Sequence, residues 1–201
     1  MLQPIPAGFS RPVFESQSTF RAVLQAMANP GRTVPMPIAA QGPQGWPGTM
    51  AALVLTLCDM DTPLWLDPVA RTAEALRFLR FHCGSPVCDR PREAAFAVVM
   101  DPPVMPGLDG FHLGDAEYPE RSTTVLLWSP GIGSSGRGAR IHGPGVDGLG
   151  ELPLEWLPES FCGQWRSNAG LFPCGVDIVL VGAEAIVGLP RTLKVEEGAC
   201  T

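Results

Sequence analysis

The chain has 201 residues, enough for one large domain whose core needs no disulfide or metal support. Its formal net charge is −6, from 20 acidic and 14 basic side chains, and no basic run exceeds two residues. This composition argues against nucleic-acid binding, which needs a concentrated positive field. No apolar run approaches the length of a membrane span, and the first residues lack the pattern of a signal peptide. We therefore expect one cytoplasmic domain over residues 1–201, with six reduced cysteines.

Two compositional biases bear on partners and ligands. The hydrophobic share of 45% is high for a soluble protein, and either a well-filled core or a partner-contact surface explains it. Lys194 is the only lysine, so nearly all basic residues are arginines. A GC-rich genome could produce that bias, but arginine is also the residue that binds phosphate or phosphonate oxygens in a bidentate manner.

The first half of the chain alternates predicted helices and strands. Residues 16–28 form a predicted helix, because Phe20, Val23, Leu24 and Met27 make one apolar stripe at helical spacing. Residues 47–58 are apolar nearly all round and predict a buried helix. Residues 62–66 predict a strand, and a further helix is expected from residue 67 to about residue 80.

Strands dominate the second half. Residues 94–101 and 122–129 are apolar and β-branched, which is typical of strands buried on both faces. Residues 139–142 predict a short strand and residues 157–169 a helix. Residues 175–182 read as a central strand, with residues 185–193 pairing to it as a hairpin. The pattern predicts an α/β fold in three layers, with helices covering a mixed sheet.

A glycine-rich loop at residues 131–136 matches GxGxxG and follows a predicted strand. A dinucleotide-binding loop must open a helix, whereas the residues that follow, RGARIHGPG, cannot form one. The stretch also fails as a P-loop, because Arg137 and Gly138 replace the required Lys and Ser/Thr. We expect a flexible surface loop here, with a phosphate cradle as the alternative.

Several charged residues lie at predicted strand ends. Arg140 and His142 lead into a glycine–proline turn, GPG at 143–145, and such turns can present backbone N–H groups to an anion. An ordinary tight turn is the alternative. Arg121 lies just before a buried strand, where strand-end residues often line clefts.

The cysteine and aspartate motifs are expected to have structural roles. Cys83 follows His82, but sequence neighbours on a strand point to opposite faces and no orienting residue is evident, so both are expected to be structural. Asp59 and Asp61 are expected to shape a turn before Pro63. The three histidines are far apart and no CxxC pair occurs, so no metal site is predicted.

Seven segments, in order, resemble the PhnH family, the H subunits of bacterial carbon–phosphorus lyase. They cover most of the chain: PVF, SQ and TFR within 12–21, MANPG at 27–31, LTLCDMDTPLWL at 55–66, LRFHCGSPV at 79–87, RIHGPG at 140–145, FPCGVD at 172–177 and LPRT at 189–192. No single segment is decisive, but the ordered set is specific.

The resemblance implies an α/β/α sandwich similar to pyridoxal-phosphate-dependent transferases, without the cofactor. It implies a homodimer when isolated, and a core complex with the G, I and J subunits. That complex replaces the adenine of ATP with a phosphonate, giving a ribose 1-phosphonate 5-triphosphate, and the J subunit later breaks the C–P bond with an iron–sulfur cluster. Lys194, the only candidate for a Schiff base, lies beside two glutamates near the carboxyl terminus, which agrees with the absence of that cofactor.

Two functional hypotheses follow. In the first, the chain is an accessory subunit without catalytic residues of its own, and Arg121, Arg140, His142 and Arg191 bind a phosphonate or the triphosphate of ATP in a cleft. In the second, it is a stand-alone thiol hydrolase or transferase that uses Cys83. The lack of a complete nucleophile, base and orienting residue disfavours the second.

Overall fold

The computed structural model describes residues 4–132, 138–147, 150–153 and 157–196, and its centre is a mixed seven-stranded sheet. The strands are β1 (Thr33–Pro35), β2 (Leu64–Leu66), β3 (Val87–Cys88), β4 (Phe96–Val99), β5 (Thr124–Trp128), β8 (Asp177–Val181) and β9 (Ala185–Leu189). Their order is β1-β9-β8-β5-β4-β2-β3, and the five strands from β8 to β3 are parallel. β9 returns antiparallel to β8, so the predicted hairpin and the mixed α/β sheet are confirmed.

A second sheet of three antiparallel strands was not predicted as a unit. It consists of β6 (Gly138–His142), β7 (Gly150–Pro153) and β10 (Lys194–Val195), in the order β10-β6-β7. The strand predicted at 139–142 is confirmed. Its pairing with β10 joins segments about fifty residues apart, which no local pattern in the sequence indicates.

Four α-helices accompany the sheets: α1 (Pro12–Ala28), α2 (Gly48–Leu57), α3 (Ala73–His82) and α4 (Phe161–Ala169). All four predicted helices exist, but three of them begin elsewhere than predicted. α1 starts four residues earlier, at a proline suited to a first turn, while α3 and α4 start later. Among the described residues, no helix is long and apolar enough to cross a membrane.

The late start of α3 has a clear cause in Asp67. Its buried carboxylate accepts hydrogen bonds from the backbone N–H groups of Ala70, Met100 and Asp101 at 2.7–2.8 Å. The side chain therefore ties the turn after β2 to the end of β4. The helix begins only at Ala73, after Thr72, whose hydroxyl accepts a hydrogen bond from the Ala75 N–H and caps the helix.

Alternate residues of the central strands enter two separate cores. On one face, Leu64, Val98 and Leu126 pack with the buried sides of α1, α2 and α3. On the other face, Val99 and Leu127 pack with α4 and with the buried residues of the small sheet. This period-two division is what the apolar, β-branched strands predicted.

α1 lies unusually close to the sheet, because small residues face each other across the contact. A Cβ on Gly188 of β9 would come within 2.4 Å of the Ala26 carbonyl oxygen. Apart from Glu15 in the first turn, the buried residues of the helix have short side chains, with Thr19, Ala22 and Ala26 among them. The contact leaves no room for large side chains.

The predicted apolar stripe of α1 is consequently split between core and surface. Val23 is buried, whereas Phe20 and Leu24 point away from the core. Val13 and Phe14, at the start of the helix, are exposed as well, so the four large apolar side chains are 46–77% exposed. Val13, Phe20 and Leu24 lie at i, i+7 and i+11, which places them on one side of the helix.

Candidate functional site

A hydrogen bond between α4 and β10 positions the principal candidate site. The indole N–H of Trp165 donates to the Leu193 carbonyl at 2.9 Å, and both residues are fully buried. Phe161 stacks on the same indole with ring centroids 5.9 Å apart. The next residues along the two elements, Arg166 and Lys194, are therefore brought to one place at the surface.

These elements border an open surface cavity of about 690 Å³ that we call the cationic groove. Its lining carries His142 of β6, Arg166 of α4, Lys194 of β10 and the adjoining Glu196. His142 and Lys194 are direct partners in the strand pairing, so their side chains share one face of the small sheet. The volume falls in the range of ordinary small-molecule sites.

Arg140 adds a further positive charge at the edge of the cationic groove. It lies two residues before His142 on β6, and the intervening Ile141 is buried, so both polar side chains face outward. Its guanidinium lies 3.9 Å from the Glu196 carboxylate, and the Glu196 N–H donates to the Arg140 carbonyl at 2.9 Å. With the Arg140 side chain 64% exposed, this ion pair is weakly held.

The other polar side chains that line the groove make no contact of this kind with the described residues. Within the described part of the chain, the side chains of His142, Arg166 and Lys194 make no hydrogen bond or ion pair. Their donors are free to bind an anion that enters from solvent.

Arg191, also predicted as a ligand residue, is engaged inside the protein. Its guanidinium forms an ion pair with Asp177, and the two side chains are only 13% and 17% exposed. It also donates to the Ser122 hydroxyl at 2.6 Å and to the carbonyls of Pro119 and Pro173 at 2.8 and 3.2 Å. These bonds join two of the family segments, FPCGVD and LPRT, at the start of β8.

Arg121 lies in a short 3-10 turn before β5 and is exposed. Its guanidinium stacks on the Tyr118 ring at 3.9 Å from the centroid. Both Arg121 and Arg191 are thus at the edge where parallel strands begin. Ligands of such sheets usually bind at the opposite edge, where the strands end. A ligand role for these two arginines stays a prediction.

The edge where β4 and β5 end also carries a cavity, of about 650 Å³. Most of its lining is apolar: Pro102, Pro103, Trp128, Pro130, Leu157 and Pro158. The described residues that line it include Glu159 but no cation, so it offers no attraction to a phosphonate.

Cys83 is a poor nucleophile in this fold. Burial, with a smaller contribution from Asp59, raises the pKa of its thiol to about 11. The neighbouring His82 is not placed to activate the thiol as a base. Its Nε2 lies 2.9 Å from the Pro6 carbonyl oxygen and is held by that contact. The thiol-enzyme hypothesis therefore gains no support from the geometry.

The remaining cysteines differ in state. Cys58, Cys88 and Cys174 are free thiols like Cys83, whereas Cys162 is disulfide-bonded. The prediction of six reduced thiols is therefore wrong for Cys162. It was drawn from the expected compartment and from sequence spacing, and neither shows which cysteines the fold brings together.

The structure also bears on the predictions for Asp59 and for the glycine-rich loop. Asp59 accepts hydrogen bonds from the Asp61 N–H and the Thr62 hydroxyl, so its predicted role in a turn is confirmed. The glycine-rich loop lies mostly outside the described residues, at 133–137. The next described residues form β6 rather than a helix, as predicted. Among described residues, no group of three or more His, Cys, Asp or Glu is placed to hold a metal.

The GPG turn after His142 packs on the end of α1. Gly145 has a positive φ of 82°, and a Cβ there would lie 2.5 Å from the Ala28 carbonyl oxygen. The segments MANPG and RIHGPG therefore meet in space, which accounts for a glycine at this position.

Sequence reasoning identified Arg140 and His142 but missed Arg166 and Lys194. Lys194 had a signal, since it is the only lysine and ends a predicted strand. Arg166 had none, because its place in the groove depends on how α4 packs against β10.

Fold and site together define an α/β protein with a cation-lined surface groove and, among its described residues, no assembled nucleophile, base and orienting group. Residues 7–196 match the family model described as bacterial phosphonate metabolism protein (PhnH). The chain therefore belongs to the PhnH family.

Two curated relatives agree with this assignment. A Rhizobium meliloti (strain 1021) protein named alpha-D-ribose 1-methylphosphonate 5-triphosphate synthase subunit PhnH is 38% identical over 188 residues, 94% of each chain. A Stutzerimonas stutzeri protein named putative C-P lyase subunit protein HtxG is 29% identical over 181 residues, 89% of this chain and 85% of the relative.

Proposed function

We propose that this chain is a subunit of a carbon–phosphorus lyase core complex in phosphonate catabolism. In that role it supports transfer of a phosphonate onto the ribose of ATP, with release of adenine. Membership of the PhnH family is the observation that carries the proposal, and the Rhizobium meliloti relative is named as a subunit of the corresponding synthase.

The exposed apolar side of α1 supports an assembly role. Val13, Phe20 and Leu24 share one side of the helix, and all three apolar side chains are exposed to water. Exposed patches of this kind usually mark contacts with another protein. We propose that another subunit of the complex covers this side of α1.

The proposed partners are the G, I and J subunits, and the isolated chain is proposed to form a homodimer. Because the reaction uses ATP, we place the complex in the cytoplasm. The chain itself is proposed to lack a complete catalytic site, which agrees with the raised pKa of the Cys83 thiol and the engaged ring of His82.

The proposed architecture is a three-layer α/β/α sandwich related to pyridoxal-phosphate-dependent transferases but without their cofactor. The two cores on opposite faces of the sheet support the layered description. The exposed position of Lys194, beside Glu196 on the small sheet, is unlike the enclosed site that a Schiff-base lysine needs.

Affinity purification from cells growing on methylphosphonate as the phosphorus source tests the assembly role. We expect the tagged chain to retain the G, I and J subunits, identified by mass spectrometry. Phe20→Glu and Leu24→Glu should each strongly reduce this recovery, because they place a charge in the apolar contact.

Gln25→Glu is the matched control, since it adds a charge at an exposed position of the same helix next to Leu24. It should leave the recovery of partners unchanged. Absence of the three subunits from the wild-type purification would refute the proposed function. Their full recovery with both apolar-side variants would refute the assignment of the surface.

A further inference from the structure

We propose that the cationic groove binds a small polyanion bearing phosphate or phosphonate groups, through Arg166, Lys194, His142 and Arg140. The binding itself follows from the groove. Identification of the natural ligand as ATP or an organic phosphonate rests on the proposed function.

The charge balance of the groove favours an anion. Among its described lining residues, Arg166 and Lys194 carry two permanent positive charges, against one carboxylate, that of Glu196. Arg140, at the edge, is ion-paired with Glu196 and is the strand partner of Glu151, so its charge is not counted as excess. The carboxyl end of α4 also faces the groove at Gly170 and opposes an anion by about half an elementary charge. A small positive excess remains among the described lining groups, on a chain whose formal net charge is −6.

The arrangement of the cations suits a ligand with several anionic groups. They come from three separate elements, β6, α4 and β10, and surround one cavity of about 690 Å³. A triphosphate chain carries several anionic groups, so it suits cations that come from three elements better than a single phosphate does. Arg166 can bind phosphate oxygens through its planar fork, and Lys194 acts as a compact point charge.

The contrast with Arg191 shows that the groove cations are not structural. Arg191 uses its guanidinium on Asp177, Ser122 and two carbonyls, and so has little capacity for a ligand. Arg166 and Lys194 make no such bonds among the described residues, and both are exposed. No described residue occupies their charged groups, so an anion from solvent can bind there.

Binding of inorganic tripolyphosphate to the purified chain at low ionic strength provides the test, measured by calorimetry. Arg166→Ala and Lys194→Ala should each weaken binding by about tenfold, the loss expected for one charge-assisted hydrogen bond. Lys194→Arg should restore most of the affinity, because the charge remains. Glu196→Gln should tighten binding, since it removes the opposing carboxylate and releases Arg140.

Arg80→Ala is the matched control. Arg80 is exposed on α3, has no hydrogen bond or ion pair among the described residues and does not line the groove. Its loss removes the same charge from the protein, yet it should leave the affinity within about twofold, the size of a screened long-range effect. Equal weakening by all three alanine variants would overturn the proposal, as would no measurable binding by the wild-type chain.

The single lysine permits a direct second readout. Acetylation of Lys194, followed by peptide mass spectrometry, should be slowed by tripolyphosphate, and competition with ATP or methylphosphonate identifies which source of the anion binds better. Unchanged acetylation at saturating tripolyphosphate would overturn the proposal. Failure here, with the G, I and J subunits still recovered, would leave the proposed function intact. Tripolyphosphate binding without recovery of those subunits would refute the proposed function and leave anion binding by the groove intact.

Discussion

The arginines of this chain differ in function according to what surrounds them. The guanidinium of Arg191 has four protein partners, including a carboxylate that is itself largely removed from water. Arg166 ends in solvent with no protein partner among the described residues. The sequence alone does not show which of the two arginines is bound inside the protein, because both are single arginines next to apolar segments. The first joins three loops, and the second is available for a ligand.

Replacement of Arg191 should therefore reduce stability. Arg191→Ala leaves the largely buried Asp177 without its partner, and we expect a loss of about 3–5 kcal/mol in the free energy of unfolding. Urea denaturation followed by circular dichroism measures it. Arg191→Lys should recover only part of the loss, because an ammonium cannot reproduce the planar fork.

Arg32→Ala is the control for this measurement. Arg32 pairs with Asp147 at 3.7 Å, but both side chains are well exposed, so the expected cost is below about 1 kcal/mol. Equal midpoints for Arg191→Ala and Arg32→Ala would contradict the structural role of Arg191.

Cys83 should react slowly with alkylating reagents at neutral pH. Its thiol pKa, raised from 9.0 to about 11, means roughly a hundredfold less thiolate than in an unperturbed cysteine. Because only the thiolate reacts, the alkylation rate should keep rising with pH above 9. Peptide-resolved iodoacetamide kinetics check this, and a plateau below pH 8 would revive the thiol-enzyme hypothesis.

At the scale of the element, α1 has two functional sides. Short side chains and Gly188 allow its backbone to lie against β9, while its large apolar side chains face outward. A helix that packed by its large side chains would have no reason to expose Phe20 and Leu24. The small-residue contact therefore leaves the opposite side of the helix exposed, as the proposed partner contact requires.

Gly188→Ala tests this close contact. The new methyl group would overlap the backbone of Ala26 and Met27, so the helix must move away, at an expected cost of about 2 kcal/mol. Thermal unfolding of the purified variant measures the effect.

Gly163→Ala is the matched comparison, because a Cβ there meets nothing within 4 Å on the exposed side of α4. It should stabilise the protein by about 0.5–1 kcal/mol through helix propensity. A Gly188→Ala protein as stable as wild type would show that α1 does not depend on the glycine.

Helices and strands could be predicted from the sequence where residues close together in the chain determine them. The apolar strands β4, β5 and β8 and the buried helix α2 follow from residue type and periodicity, and all were predicted. The start of α3 was not, because Asp67 ties the preceding turn to a strand more than thirty residues away.

The candidate site was only half predictable for the same reason. Arg140 and His142 are close in sequence and lie on one strand, so their proximity could be inferred. Lys194 and Arg166 join them only through the pairing of β10 with β6 and the Trp165–Leu193 hydrogen bond. Both are long-range contacts that no single segment encodes.

At the scale of the whole molecule, two surface features stand out among the described residues. One side of α1 offers apolar area, and the cationic groove offers positive charge on an otherwise acidic protein. These features suit a subunit that contacts a partner and an anionic ligand while other subunits supply the chemistry. They agree with the membership of the PhnH family.

Adenine release from ATP and methylphosphonate, measured with and without this chain in a reconstituted complex, tests the central claim most directly. We predict no release by the isolated chain, release by the full complex, and a strong reduction when the chain is omitted. Adenine release by this chain with no other protein present would contradict the account.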